Sequence, residues 1–160
     1  MRHRRLPRLD LRGRTYFLTC CLDGRRRLLA RPDLAELVTN LYVAQRDRGH
    51  IALHGYVIMP DHYHVLLTVG DEVSISNVVR TVHSLSTQAG RRTMEIRGRI
   101  WQSRFYDHVV RDEDDFRAKL DYLHNNPLRA GLVEDVTAYP WSSLRFWETG
   151  AGPVACDCWD

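Results

Sequence analysis

A β-branched and aromatic run from Thr15 to Leu22, bounded by Gly13 and by Asp23-Gly24, predicts a first strand. The period then changes. From Pro32 to about Arg48 the apolar residues Leu34, Leu37, Val38, Leu41 and Tyr42 recur at three and four, with Pro32 suited to a first helical turn and Gly49 to the stop. Residues 51–58 and 62–69 are two apolar runs around Met59-Pro60-Asp61, a connection short enough for an antiparallel hairpin. Ser74 or Ser76 can cap a helix running to about Arg91, with Ile75, Val78, Val79, Val82 and Leu85 on one stripe. Gly90 and Gly98 bracket a basic connection, and Phe105 to Val110 reads as a fourth strand.

A last helix follows. Asp112-Glu113-Asp114-Asp115 puts negative charge where the helix dipole favours it, and Phe116, Leu120 and Leu123 form the inner stripe. Pro127 disfavours helical geometry in the residue before it, so this helix is expected to end near Asn126. The resulting order is the split β-α-β arrangement of an α+β, ferredoxin-like βαββαβ fold, with an antiparallel sheet and helices on one face, plus a C-terminal helix carrying Tyr122. One domain over 15–149 is expected, preceded by a basic arm over 1–14 and followed by a loosely ordered tail over 150–160.

Charge adds a partner class. The net charge of +3 conceals ten Arg against two Asp in residues 1–31 and six Arg against one Glu in residues 80–104, which leaves the remainder acidic. Such segregation is the footprint of a polyanion, and nucleic acid is the expected partner. Arg2, Arg4, Arg5, Arg8, Arg12 and Arg14 of the arm, with Arg104 from the second cluster, are the candidate DNA-binding residues. Of the 23 basic residues only Lys119 is lysine, a bias that a GC-rich genome also explains. No apolar run approaches the roughly 18 residues of a membrane span, so a soluble, cytoplasmic protein with no membrane partner is expected. Cys20-Cys21 and Cys156-Asp157-Cys158 match neither a disulfide framework nor a common zinc spacing, and read as free thiols.

The candidate chemistry lies in two short arrays. In Met59-Pro60-Asp61-His62-Tyr63-His64, the two imidazoles are two apart and share one face of a strand. In Tyr122-Leu123-His124-Asn125-Asn126, the phenol and the last amide are four apart and share one face of a helix. Packed together, two nitrogens and an amide oxygen can hold a divalent ion beside a nucleophilic phenol. Two imidazoles with an amide suit Mn²⁺ better than Mg²⁺, although Mg²⁺ is the more abundant ion.

These blocks, together with Trp101-Gln102, Phe105-Tyr106-Asp107, Asn126-Pro127, Gly131-Leu132-Val133 and Pro140-Trp141-Ser142-Ser143, resemble those of REP-associated tyrosine transposases over roughly residues 14–147. These belong to the single-strand nucleases named for a His-hydrophobic-His motif. The resemblance implies that His62, His64 and Asn126 bind the metal. It also implies that Tyr122 attacks the scissile phosphate of single-stranded DNA beside a hairpin, giving a 5′-phosphotyrosine and a free 3′-hydroxyl. It leaves monomer and homodimer open. The family usually has Asn where this chain has Asp61, a departure that adds a carboxylate near the metal or caps the turn.

Duller readings stand beside these. The histidine pair can be surface residues, Tyr122 an ordinary aromatic, and Asn126 a turn residue. Tyr106 is a rival nucleophile, His108 and His124 are candidate proton carriers, and Trp101, Phe105, Trp141 and Trp147 serve either base stacking or the core. A structured-DNA-binding protein without nuclease activity is the alternative function. A small-molecule metal hydrolase is disfavoured because the barrels that host such histidine pairs need about 250 residues.

Overall fold

The computed structural model describes residues 11–160. Four strands, β1 (Thr15–Cys21), β2 (Ile51–Ile58), β3 (His62–Val69) and β4 (Tyr106–Val109), form one sheet in the order β2-β3-β1-β4. Every neighbouring pair is antiparallel. Helices α1 (Pro32–Asp47) and α2 (Ile75–Thr93) join strands as crossovers, α3 (Glu113–Arg129) follows the sheet, and a short α4 (Leu144–Thr149) comes late. This is the expected α+β, ferredoxin-like order with an antiparallel sheet. The boundaries fall within about two residues of the expected ones, except at the end of α3.

The sheet is buried on both faces, and side-chain alternation sorts its residues between two cores. Tyr16, Leu18 and Cys20 of β1 and Tyr63, Val65, Leu67 and Val69 of β3 pack with α1 and α2. Phe17 of β1, Val57 of β2 and Leu66 of β3 pack on the other side with Phe116, Leu120 and Leu123 of α3. The crossover helices α1 and α2 therefore share one face, as expected of a ferredoxin-like sheet, and the additional helix α3 covers the other. β3 carries Tyr63, Val65, Leu66, Leu67 and Val69, apolar residues on both of its faces, and a strand of that composition needs cover on both sides.

A bulge tunes this sorting on β2. Leu53 pairs with Leu67 and Gly55 with Leu66, so His54 is an extra residue that shifts the phase of the strand. Its imidazole bonds Asp157 O at 2.9 Å and Thr68 Oγ1 at 2.8 Å, and its carbonyl accepts from Trp147 Nε1 at 2.8 Å. The shift turns Gly55 toward α3, where an added Cβ would lie 2.7 Å from Leu120 Cδ1 and 3.3 Å from Ser143 Oγ. Glycine thus sets how closely α3 approaches the sheet. His124 of α3 reinforces the contact through Ser143 Oγ at 2.8 Å, which also accepts from Tyr56 N at 2.9 Å.

Three expectations are corrected. α3 runs through Pro127 to Arg129, because a proline near a C-terminus forfeits little. Ala130 N still donates to Asn126 O and Leu132 N to Pro127 O, each at 2.9 Å, and Gly131 at φ 70° ends the turn. Leu85, expected on the inner stripe of α2, is 40 % exposed because the buried line continues through Ser86 and Gly90 instead. The closing segment is anchored rather than loose. Asp157 bonds the Leu53 backbone in both directions, Trp159 Nε1 donates to Thr15 Oγ1 at 2.8 Å, and the Trp159 ring stacks on Phe116 at 4.7 Å. No helix among the described residues is long and apolar enough to cross a membrane.

This packing makes two stability measurements informative. Gly55→Val forces a branched side chain against Leu120 and Ser143, and is expected to cost about 1–3 kcal/mol of stability in urea unfolding. Burial holds His83 at about 3 and His124 at about 4, below the 6.5 of an exposed imidazole. The unfolded chain therefore binds more protons as pH falls below about 6.5, and each histidine removes up to about 1.4 kcal/mol per pH unit. Denaturation midpoints should drop between pH 7 and pH 5. His124→Gln should lower stability at pH 7 yet flatten that dependence.

Candidate active site

The α3 side of β3 presents His62, His64 and Leu66 in turn, and the register with β1 sets Cys21 opposite His62 and Thr19 opposite His64. The two imidazoles meet edge to face, with ring centroids 4.9 Å apart. His62 Nδ1 lies 2.7 Å from Asp61 Oδ1, and Asp61 Oδ2 is held by Arg25 Nε at 2.9 Å. Burial alone would raise the Asp61 carboxyl, but the hydrogen bond from His62 and the nearby Arg25 guanidinium bring it below the usual range. An ionised Asp61 accepts from Nδ1 and leaves the Nε2 lone pair of His62 available, the arrangement in which carboxylates orient metal-binding histidines. The residue that departs from the family pattern thus orients a candidate ligand.

His64 is the more constrained of the pair. It is 4 % exposed, its Nδ1 lies 2.9 Å from Thr19 Oγ1, and its ring stacks on Phe17 at 5.0 Å. Burial, then the neighbouring His62 and the Arg129 and Arg25 charges, push it down to about 3, so the imidazole is neutral at pH 7. Its Nε2 is the one buried side-chain nitrogen or oxygen among the described residues with no hydrogen-bond partner. An orphaned buried acceptor is costly, and a cation would satisfy it.

Tyr122 stands beside the His64 ring. Its ring lies 5.6 Å from the His64 ring and 5.8 Å from Phe17, yet it remains 45 % exposed. Arg129, two turns along the same side of α3, lies over the phenol with Cζ 4.1 Å from its centroid, and its Nη2 donates to Tyr122 O at 2.7 Å. Lys119 Nζ lies 5.3 Å above the Phe17 ring. One cation thus lies over the phenol and a second over the Phe17 ring that the phenol meets edge to face, and no motif singled out either. The i+7 spacing of Arg129 from Tyr122 was the available signal.

The other expected site residues fall as follows. Asn126 is 8 % exposed, one turn beyond Tyr122 on the side of α3 that packs on the sheet. Its amide is the candidate third donor, and with His62 and His64 it would offer neutral nitrogen and oxygen of the kind that suits an intermediate divalent ion. Among the described residues, no three His, Cys, Asp or Glu side chains gather as a metal site. Arg2, Arg4, Arg5 and Arg8 lie outside the described residues. Arg12 donates to Asp71 O at 2.8 Å, and it and Arg14 precede the Thr15 end of β1, away from the Thr19–His64 end. Arg104 is exposed just before β4, whose first residue, Tyr106, pairs with Thr19.

Several candidates have structural duties. His108 Nε2 lies 2.8 Å from Asp115 Oδ2, which also accepts from Arg111 N at 3.0 Å and holds the start of α3. Against the penalty of burial, the bonds from His108 and Arg111 bring Asp115 down to about 2. Arg26 and Arg31, from the first basic cluster, donate to carbonyls of Arg97, Arg99 and Met94. All four cysteines are free, and burial with the nearby Asp157 pushes the Cys156 thiol up to about 12. Tyr106 is 59 % exposed on the face that carries Thr19 and His64.

Comparison with known proteins agrees with this reading of the motifs. Residues 12–126 match the family described as "Transposase IS200 like". A REP-associated tyrosine transposase of Escherichia coli K12 is 31 % identical over 141 residues, spanning 86 % of this chain and 81 % of the relative. A putative REP-associated tyrosine transposase of Haemophilus influenzae is 28 % identical over 146 residues, spanning 84 % and 81 %. Among solved structures, a REP-associated tyrosine transposase bound to a REP hairpin superposes with a TM-score of 0.74 at 28 % identity, over 98 % of this chain and 93 % of that one. A putative transposase of Deinococcus radiodurans shares the fold, with a TM-score of 0.53 at 16 % identity over 76 % and 96 %. The histidine pair, the phenol that packs beside it and the span of these matches place this chain in the IS200-like transposase family, among the REP-associated tyrosine transposases.

Proposed function

We propose that this protein is a metal-dependent endonuclease and strand transferase that cuts single-stranded DNA beside a hairpin, with Tyr122 as nucleophile. The observation that supports this most directly is the buried, partnerless Nε2 of His64 next to an exposed phenol. A nitrogen so placed fits a cation, and a phenol open to solvent can meet a phosphodiester.

His62, His64 and Asn126 would hold the ion. A bound Mn²⁺ or Mg²⁺ would polarise the phosphoryl oxygens and help to neutralise charge on the phosphate. The protein's own contribution is positional. Asp61 and Thr19 fix the rings of His62 and His64 through their Nδ1 atoms. α3 carries Tyr122 on the same face, and Arg129 and Lys119 add positive charge where a phosphate would sit.

Tyr122 Oη attacks phosphorus, and the bond from phosphorus to the 3′-oxygen breaks. The phenolic proton passes to water, and the departing 3′-oxygen takes a proton from water. The products are a 5′-phosphotyrosine and a 3′-hydroxyl. A 3′-hydroxyl can attack such a linkage in reverse, which joins strands without a nucleotide cofactor. A phenol with an ordinary pKa near 10 needs such an electrostatic setting to react at neutral pH.

Hairpin DNA from the host genome, single-stranded beside the stem, is the substrate to test. Wild-type protein with Mn²⁺ should give a protein-linked band on denaturing electrophoresis, and Tyr122→Phe should give none. His64→Ala should reduce cutting at least about 10²-fold, the scale of losing a positioned electrostatic group. Adduct formation by Tyr122→Phe, or wild-type cutting in excess chelator, contradicts the proposal. Hairpin binding without any cut would favour the DNA-binding alternative. Deletion of residues 1–8 should weaken hairpin binding and lower the steepness of its salt dependence by up to about 0.9 for each phosphate that the arm neutralises. An unchanged slope removes the arm from DNA contact.

A further inference from the structure

On the far side of the sheet from Tyr122, a groove of about 690 Å³ lies between the outer side of α2 and residues 99–105. We propose that this groove binds one or two nucleotides of single-stranded DNA, as a second subsite for the strand that runs on from the cleavage site.

The lining has the chemistry that unpaired nucleic acid requires. Arg80 and Arg91 project from α2, and Arg99 faces them from the opposite wall. All three are exposed, and among the described residues none pairs with a carboxylate. Thr87 and Gln102 line the same groove and can bond base edges or phosphate oxygens. Trp101, 5 % exposed and part of the core, stacks on the half-buried His83, centroids 4.2 Å apart and 3° from parallel, and the pair forms a packed floor whose His83 edge borders the groove. Cationic side chains around aromatic rings are how proteins hold unpaired strands. The volume lies within the ~300–1,000 Å³ of single-ligand sites, too small for a duplex.

The groove is built rather than incidental. Residues 94–105 contain no helix or strand, yet they are fixed at many points. Ile96 N donates to Gly90 O at 2.9 Å, and a Cβ on Gly90 would lie 2.9 Å from Ile100 Cδ1, so glycine permits this approach to α2. Asp23 N donates to Ile100 O at 2.8 Å, Arg31 Nη1 to Met94 O at 3.0 Å, and Arg26 to the carbonyls of Arg97 and Arg99. Two arginines of the first cluster thus hold the wall that carries arginines of the second. Below the stack, His83 Nε2 lies 2.9 Å from the Tyr63 hydroxyl, which meets the Tyr42 hydroxyl at 2.9 Å.

Its position relates it to the catalytic face. Gln102 N donates to Cys21 O at 3.0 Å, and Cys21 pairs with His62. The groove and the histidine pair therefore flank the same end of β1. The exposed Tyr106 stands on the histidine side of this turn, and Arg99 and Gln102 on the other. A strand leaving Tyr122 would reach the groove by passing over residues 102–106.

The role as a subsite rests on the proposed function, so the test reads binding apart from cutting. The probes are oligothymidylate, which forms no duplex, and a blunt hairpin, each titrated across salt with wild-type protein and with Arg80→Gln/Arg91→Gln/Arg99→Gln. All three side chains are exposed, and unchanged circular dichroism would establish that the variant folds. The expected result is an oligothymidylate affinity weaker by about tenfold or more, with a salt slope shallower by up to about 2, the single-strand value for three neutralised phosphates. Blunt-hairpin affinity should hold. A photoreactive thymidine should crosslink the wild type within residues 80–105. Wild-type oligothymidylate affinity in the variant, or equal losses for both probes, overturns the inference. Because no probe needs to be cut, a failure to form the Tyr122 adduct would count against the proposed function and leave this result standing on its own.

Discussion

Everything at the candidate site depends on β3 being covered on both faces. A strand with one face in water would leave His62 and His64 among solvated polar residues. Here the same alternation that buries Tyr63, Val65 and Leu67 against α1 and α2 turns His62, His64 and Leu66 toward α3. Leu66, Leu120 and Leu123 seal that second interface, and Gly55 lets α3 lie close enough for Tyr122 to reach the His64 ring. A one-residue slip of β3 would exchange the two sets of side chains. The bulge at His54 keeps β2 in phase with both.

The polar groups of the site are ordered by the same packing. His64 is driven neutral by burial, and its orientation is fixed from Thr19 on the adjacent strand. His62, nearer the turn, is oriented by Asp61, which Arg25 fixes in turn. The two imidazoles thus reach the same arrangement, Nδ1 engaged and Nε2 left over, by different means. The cost of leaving the His64 nitrogen unsatisfied is of the order of 1–3 kcal/mol, a penalty that a bound ion would remove.

Much of this was legible in the sequence, because the signals were local and strong. The spacing of Leu34 to Tyr42, the short connection Met59-Pro60-Asp61 and the acidic start of α3 each describe an element by its own chemistry. His62 and His64 fall on one face because a strand has period two, and Tyr122 was matched to them by motif order. What was not legible depends on tertiary contact. Pro127 reads as a stop, yet the burial of Asn126 and Pro127 carries the helix through it. Gly150 to Asp160 has no periodicity, but Asp157 and Trp159 find partners more than a hundred residues away. The roles of Lys119 and Thr19 emerge only once the strands and α3 are assembled, and the division of the arginines between carbonyl bonding and open surface follows no pattern along the chain.

The central claim is that the phenol packed against His64 is the group that joins DNA, and Tyr106, exposed on the same face, offers an internal control. The most direct measurement is to digest the protein–DNA adduct formed with Mn²⁺ and hairpin substrate, and to locate the phosphonucleotide by peptide mass spectrometry. The account predicts the modification on the peptide containing Tyr122. A modification on Tyr106, or cut DNA with a free 5′-phosphate and no protein attached, would contradict it.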